Sequence, residues 1–211
     1  MDRKESRPVT TLALAIALVA WSGVVAPRLT PRWQAPAQAV LSAGLVRLMR
    51  APLGLRPPAL GRGLRLGLVV AGAVASGVAA TAAVPRVRGA MAERELPGPC
   101  FWLLVRIPIG TVWSEEAAFR AALGSAAGSA FGSRWGRLVQ SATFGLSHVP
   151  DARRTGEPVV GTVLVTGAAG WAFGLLYERS GSLAAPMLAH LAINEAGALT
   201  ALAVQRTGRA D

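Results

Sequence analysis

The chain has little charge, one cysteine and one lysine. Cys100 stands alone, which excludes an intramolecular disulfide and a cysteine-based metal cluster. Only 16% of the 211 residues are charged, against about 25% in an average soluble domain. Lys4 is the single lysine among 22 basic residues. The low charge argues against a soluble domain, and the arginine excess with abundant alanine and glycine favours a bacterial source rich in G+C.

The chain consists largely of long apolar runs. Apolar residues make up 52% of the chain, and the mean hydropathy is +0.43. They fall in runs of roughly 16 to 21 residues, long enough to cross a hydrocarbon core of about 30 Å. Most of these runs lack the polar face that a helix of a soluble bundle repeats about every 3.6 residues. The sequence therefore predicts an all-α, polytopic membrane helix bundle of about six to eight transmembrane helices with a buried polar site.

The basic charge does not indicate a nucleic-acid-binding protein. The net charge is +11 and the isoelectric point is near 11.7. Most basic residues lie between apolar segments, where they meet anionic lipid headgroups. No basic stripe with interleaved aromatic residues occurs in the sequence. We therefore expect the lipid bilayer as a partner, and no nucleic acid.

Seven hydrophobic segments are predicted to be helical. Pro8–Ala26 has the length of one span, although the basic residues before it and the small residues at its end also fit a cleaved signal peptide. Ala35–Met49 contains an arginine and is predicted as a short span or as a helix at the interface. The others are Leu66–Val84, Phe101–Ala127, Leu138–Val149, Val159–Tyr177 and Leu183–Val204.

Proline and arginine mark the connections between these segments. Leu53–Arg65 contains two adjacent prolines and several arginines, and it is predicted as a loop. Pro85–Pro99 is predicted as a polar linker, and Asp151–Glu157 as a short charged loop. Pro108 lies inside Phe101–Ala127, so that helix either begins after Pro108 or is kinked there, because proline lacks the backbone donor.

Two acidic residues and an arginine form a cluster inside the apolar segment Phe101–Ala127. Glu115 and Glu116 are adjacent, and Arg120 follows Glu116 at the i,i+4 spacing of an ion pair. Neighbouring residues on a helix project about 100° apart, so both carboxylates cannot squarely face one small cavity. We predict that Glu116 and Arg120 neutralise each other while Glu115 faces the site. The alternative places both acids at a helix end, where they reach water.

The two histidines of the chain also lie in apolar stretches. His148 follows Phe144 by one helical turn, and Asn194 follows His190 at the same spacing. Singly, His148 fits an interfacial histidine, and His190 with Asn194 fits hydrogen bonds to a neighbouring helix. Together with the glutamates they indicate a catalytic site. A carboxylate would take the proton of a water that attacks a carbonyl, and a His–Asn face would donate hydrogen bonds to the oxyanion.

These motifs resemble those of the CPBP family, which includes the type II CAAX prenyl endopeptidases and bacterial relatives linked to bacteriocin processing and self-immunity. The motifs are Glu-Glu-x-x-x-Arg at 115–120, Phe-x-x-x-His at 144–148 and His-x-x-x-Asn at 190–194. The run Ser-Gly-Ser-Leu-Ala-Ala-Pro at 180–186 matches as well. The resemblance covers Val105–Leu202, and the first hundred residues show only the expected extra spans.

The resemblance implies an intramembrane endopeptidase that hydrolyses peptide bonds of membrane-associated substrates. Glu115 would be the general base, aided by His148, while His190 and Asn194 would stabilise the oxyanion. The residues that would support the cavity are Glu116, Arg120 and Phe144.

Zinc is the alternative to a metal-free mechanism. The family is often classed with the metalloproteases, and Glu115, His148 and His190 could bind Zn²⁺ with water in the fourth position. The sequence has no His-Glu-x-x-His helix, and the same groups suffice to activate water without a metal. We therefore expect no cofactor.

The resemblance also divides the chain. We expect N-terminal membrane helices and a linker at 1–98, a CPBP-like catalytic helix bundle at 99–205 and a polar tail at 206–211, in a protein of the bacterial plasma membrane. The competing function is that of a non-catalytic membrane immunity or scaffolding protein on the same fold. The complete set of motifs favours the enzyme, because a binder has no need of all of them. One departure is Glu195, which places another acid beside Asn194.

Overall fold

The computed structural model describes residues 3–207, with side chains from residue 7 onward, and this part of the chain is helical and contains no strand. Of the predicted polar tail, residues 208–211 lie outside the described part. The α-helices are α1 (Arg3–Ala20), α2 (Pro31–Met49), α3 (Ala59–Thr81), α4 (Pro85–Glu93), α5 (Pro99–Phe101), α6 (Gly124–Ser147), α7 (Val149–Thr155), α8 (Val159–Ser180) and α9 (Ala184–Thr207).

Four helical stretches within residues 3–207 are long and apolar enough to cross a membrane. They are Arg7–Arg28, which includes most of α1, and the helices α3, α8 and α9. Their apolar side chains are largely exposed, as lipid-facing side chains are. The helical membrane bundle predicted from the sequence is therefore confirmed.

The stretch that carries the Glu-Glu-x-x-x-Arg motif has wide helical turns. Between α5 and α6 the chain is π-helical over Trp102–Trp113 and again over Glu116–Leu123. The helix predicted at Phe101–Ala127 is present, but it begins before Pro108 and includes that proline. π-helical turns are rare and occur frequently at functional sites.

The helix α6 bends at Gly132. The φ angle of this residue is +80°, a backbone conformation that glycine adopts readily because it lacks a Cβ atom. A Cβ atom on Gly136 would lie 2.5 Å from the backbone nitrogen of Gly128, so α6 consists of two helical parts that fold against each other at Gly132. The segment predicted at Leu138–Val149 falls mainly in the second part, which starts earlier and ends at Ser147.

Three segments predicted as irregular are partly helical, so those predictions were wrong. The loop predicted at Leu53–Arg65 ends where α3 begins, and the linker predicted at Pro85–Pro99 contains α4. The charged loop predicted at Asp151–Glu157 lies mostly in α7. The helices α4 and α7 carry a proline in their first two positions. Proline fits there because the first backbone N–H groups of a helix have no partner within it.

The π-helical segment Glu116–Leu123 lies at the centre of the bundle. It contacts α1, α2, α6 and α8, and all of its residues are buried. The helix α9 packs closely against α3, since a Cβ atom on Gly67 would lie 2.9 Å from the Cα atom of Ala185. Small residues thus let α9 approach its neighbours closely.

The turn between α8 and α9 is fixed by hydrogen bonds to the loop before α3 and to α3 itself. The backbone N–H of Leu183 donates to the carbonyl of Leu53 at 2.9 Å. The Nε atom of Arg62 donates to the carbonyl of Ser180 at 3.1 Å, which satisfies a carbonyl at the end of α8. The Ser-Gly-Ser run noted in the sequence therefore sets where α9 begins, and with it the position of His190.

Candidate active site

His190 lies between two carboxylates inside the bundle. Its Nδ1 atom is 2.8 Å from Oε1 of Glu116, and its Nε2 atom is 3.8 Å from Oε2 of Glu115. The first distance is that of a hydrogen bond, and the second is longer than one. The side chain of Glu116 is fully buried, whereas that of Glu115 is 28% exposed. The fold therefore brings the first and third motifs of the sequence together.

The ion pair predicted between Glu116 and Arg120 is present. Nε of Arg120 is 3.1 Å from Oε2 of Glu116, and neither side chain is exposed to solvent. Within the described part of the chain, the guanidinium nitrogens of Arg120 form no hydrogen bond of acceptable angle. The pair is thus held by charge attraction in a poorly screened interior more than by directional bonding.

Both glutamates lie beside one imidazole ring but at different nitrogens, Glu116 at Nδ1 and Glu115 at Nε2. This arrangement agrees with the helical spacing, in which neighbouring side chains project about 100° apart and cannot squarely face one small cavity. Glu116 consequently forms an ion pair with Arg120 and a hydrogen bond with His190.

Two phenylalanine rings enclose Arg120. Its guanidinium carbon lies 3.9 Å from the ring centroid of Phe144 and 5.1 Å from that of Phe173. Phe173 also stacks on His190, with centroids 5.1 Å apart. A desolvated cation over an aromatic face gains about 2 kcal/mol. These rings therefore hold Arg120 and His190 beside the carboxylates.

Phe173 is a site residue that the motifs did not reveal. It lies on α8 between Gly170 and Gly174, outside the three motifs. A Cβ atom on Gly170 would lie 2.9 Å from Cδ1 of Phe144, so this glycine lets Phe144 pack against α8. The only sequence signal was this pair of glycines around a phenylalanine, which is too common to identify a site.

His148 lies at the end of α6 and contacts Phe144. The two ring centroids are 4.7 Å apart, and Nδ1 of His148 is 2.7 Å from the carbonyl oxygen of Phe144. Among residues 7–207, no hydrogen bond or ion pair joins His148 to Glu115 or His190. The structure thus places His148 beside the ring that borders the site, without direct contact to its carboxylates.

Asn194 follows His190 on α9 and is half-buried. Its Nδ2 atom donates to the backbone carbonyl of His190 at 3.0 Å. The second N–H of this amide is not used by that bond and can donate to a substrate. Catalytic hydrogen bonds often become well aligned only in the substrate complex.

The residues considered for zinc do not fit a zinc site in this arrangement. Across the described side chains, no group of three His, Cys, Asp or Glu residues is placed to hold a metal ion. Both ring nitrogens of His190 face carboxylates, and Nδ1 of His148 faces a backbone carbonyl. A zinc site needs three such ligands aimed at one point.

Comparison with known proteins agrees with the motifs. The family model described as type II CAAX prenyl endopeptidase Rce1-like matches residues 97–196, just under half of the chain. No curated protein and no solved structure matches significantly. The match contains all three motifs and confirms the resemblance to the CPBP family. Together with four apolar helices, it supports an integral membrane protein with CAAX-type protease activity in general terms.

Proposed function

We propose that this chain, in which residues 97–196 are Rce1-like, is an endopeptidase that hydrolyses peptide bonds of membrane-associated substrates without a metal. The observation that carries the proposal is His190 between the carboxylates of Glu115 and Glu116. Ionisable groups at membrane depth are costly and mark functional sites by default. From the composition we place the protein in a bacterial plasma membrane.

The two ring nitrogens of His190 have different roles in this proposal. Nδ1 is hydrogen-bonded to the buried carboxylate of Glu116, which fixes the ring, and Nε2 faces the more exposed carboxylate of Glu115.

Glu115 is the general base in this proposal. A water bonded to both Oε2 of Glu115 and Nε2 of His190 would fit between them, since each hydrogen bond spans about 2.8 Å and the two atoms are 3.8 Å apart. Glu115 takes the proton of this water as its oxygen attacks the scissile carbonyl, and later delivers it to the leaving amine.

The other residues stabilise charge or hold the cluster in place. His190 and Asn194 donate hydrogen bonds to the oxyanion that forms on the substrate. His148 contacts Phe144 and not Glu115, so in this proposal it acts through the packing of Phe144 beside Arg120. The residues that fix the orientation of His190 are Glu116, Arg120, Phe144 and Phe173.

The experiment that tests this function is cleavage of a library of membrane-spanning peptides by the purified protein in liposomes. We expect cleavage within the membrane-embedded part of some peptides, at a rate that zinc chelators leave unchanged. Product masses read out the cleavage sites, and elemental analysis measures bound metal. Stoichiometric zinc in the wild type, lost in His148→Ala and His190→Ala, would overturn the metal-free proposal.

The oxyanion donors give a second prediction. His190→Gln should retain measurable activity because its amide N–H can still donate, with kcat reduced about 10²–10³-fold. Asn194→Ala should show a loss of similar size. Single-turnover cleavage in liposomes measures both, with the melting temperature as a control for folding. If Asn194→Ala cleaves at the wild-type rate, Asn194 has no part in stabilising the oxyanion.

A further inference from the structure

The helices around the site form an arc that is open on one side. The helix α8 packs on α6, and α6 packs on α1. The turn from α1 to α2 is closed by Gln34, whose Nε2 atom donates to the carbonyl oxygens of Ala26 and Leu29. The helix α2 packs on the π-helical segment Trp102–Trp113, which packs on α9, and α9 packs on α3. The ends of the arc are therefore α8 on one side and α9 with α3 on the other.

The helices α8 and α9 meet near the turn that joins them. Phe173 of α8 stacks there on His190 of α9, with ring centroids 5.1 Å apart. Further from the turn, α8 packs on α6 instead. A Cβ atom on Gly145 of α6 would lie 2.6 Å from the carbonyl oxygen of Val163 on α8. Small residues thus hold this half of α8 against α6.

The corresponding half of α9 packs on other elements. Ala198 lies in a buried cluster with Ile107 and Val112 of the π-helical segment. Nearer the end of α9, the amide of Gln205 donates to the carbonyl oxygens of two residues at the end of α4 and just after it. Because α8 and α9 are held by different neighbours, they diverge beyond the ring stack and leave an opening between them.

The opening leads to the cluster around His190. That histidine is 6% exposed, whereas Ile193, one helical turn further from the connecting turn, is 36% exposed, and Asn194 beside it is half-buried. On α8, Thr166 is half-buried, and its hydroxyl donates to the carbonyl oxygen of Thr162 at 2.7 Å. The hydroxyl is thus satisfied within its own helix, so the two walls are suited to an apolar chain.

The site lies far from the open end of the bundle. Within α9, 17 residues (191–207) follow His190, which is about 25 Å of helix at 1.5 Å per residue. The hydrocarbon core of a bilayer is about 30 Å thick. A loop at the membrane surface would have to reach across most of that thickness, whereas a segment inside the bilayer reaches the site directly through the side of the arc.

We propose that a membrane-spanning segment of the substrate enters sideways between α8 and α9, and that Ile193 contacts a side chain next to the scissile bond. This inference rests on the proposed peptidase function and names its substrate class, an apolar transmembrane segment. Cleavage then falls in the half of the bilayer nearer the turn between α8 and α9. Ile193 is a residue that determines specificity, since its size limits the side chains that fit beside His190.

Photo-crosslinking in the full-length protein tests this path without catalysis. A benzophenone amino acid replaces Ile193 in one protein and Leu199 in its control, both with Glu115→Gln so that peptides stay intact. Leu199 is also on α9 and is 54% exposed, but it lies on another side of the helix. The probe is the pooled library of membrane-spanning peptides, labelled with biotin. We expect an adduct at position 193 that excess unlabelled pool abolishes, and none of this kind at position 199.

Steady-state cleavage gives the second test. The larger side chain of Ile193→Trp should raise KM for the cleaved peptides at least about tenfold, the size of effect that a few extra carbon atoms have in an apolar site. The value of kcat should stay near that of the wild type, because the reacting groups are unchanged. Ile193→Val should restore the wild-type KM, and Leu199→Trp is the matched control.

The entry path is overturned if the adduct at position 193 is absent, resists the competitor or is matched by the one at position 199. It is also overturned if an active Ile193→Trp variant keeps the wild-type KM. Failure of the proposed function gives a different result: the wild type then cleaves none of the peptides, while a competed adduct at position 193 still shows that the segments enter between α8 and α9.

Discussion

Glu115→Gln should reduce the rate of peptide cleavage about 10²–10⁴-fold, the contribution typical of a general base. Glutamine has nearly the shape of glutamate but cannot take the proton of the attacking water. The carboxylate of Glu115 is the partly exposed one of the pair, and its Oε2 atom has no hydrogen-bond partner among the described residues. Its replacement should therefore leave folding and membrane insertion intact.

The matched control for this prediction is Glu195→Gln. Glu195 lies on α9 directly after Asn194, and no hydrogen bond or ion pair within residues 7–207 joins it to His190. Cleavage by the control in liposomes should stay near the wild-type rate. Wild-type turnover by Glu115→Gln, measured on the same peptides, would remove Glu115 from the role of base.

Arg120→Met should destabilise the protein by about 3–5 kcal/mol, because it leaves the buried carboxylate of Glu116 without its cation. Both side chains are fully buried, so solvent does not screen the loss. Adding Glu116→Gln to this variant removes the unpaired charge. The double variant should therefore be more stable than Arg120→Met alone and should also express better.

Unfolding in detergent, followed by denaturant or heat, measures this difference. The pair of Arg137 and Glu178 provides a comparison, since its side chains are 14% and 38% exposed. Removing one partner of that pair should cost about 1 kcal/mol or less, as for other solvent-exposed ion pairs. Equal stability of Arg120→Met and the double variant would mean that Glu116 does not depend on Arg120.

The Glu116–Arg120 pair shows what local spacing can predict. Residues four apart on a helix face are neighbours, and this relation needs no knowledge of the rest of the fold. The directions of Glu115 and Glu116 agree with local spacing too, since the two carboxylates approach different nitrogens of one ring. That this ring belongs to His190, on a separate helix, is decided by the packing of the helices.

His190 and His148 show that motifs do not predict contacts between separate helices. Their motifs suggested that both histidines meet the glutamates, but only His190 does so in the structure. The distance between side chains on separate helices depends on where each helix begins and how it crosses its neighbours. For His190, the hydrogen bonds of Leu183 and Arg62 at the turn before α9 fix where α9 begins and how it is placed against α3.

By itself, the sequence determined that this is a helical membrane protein with CPBP-like motifs, because apolar run length and charge depletion are properties of the chain alone. Only the tertiary structure decided that Glu115 and Glu116 lie beside His190 and that Phe173 completes the enclosure of Arg120. These contacts join residues far apart in the chain. Their distances depend on how whole helices pack against each other. The spacing of residues within one segment contains no information about this packing.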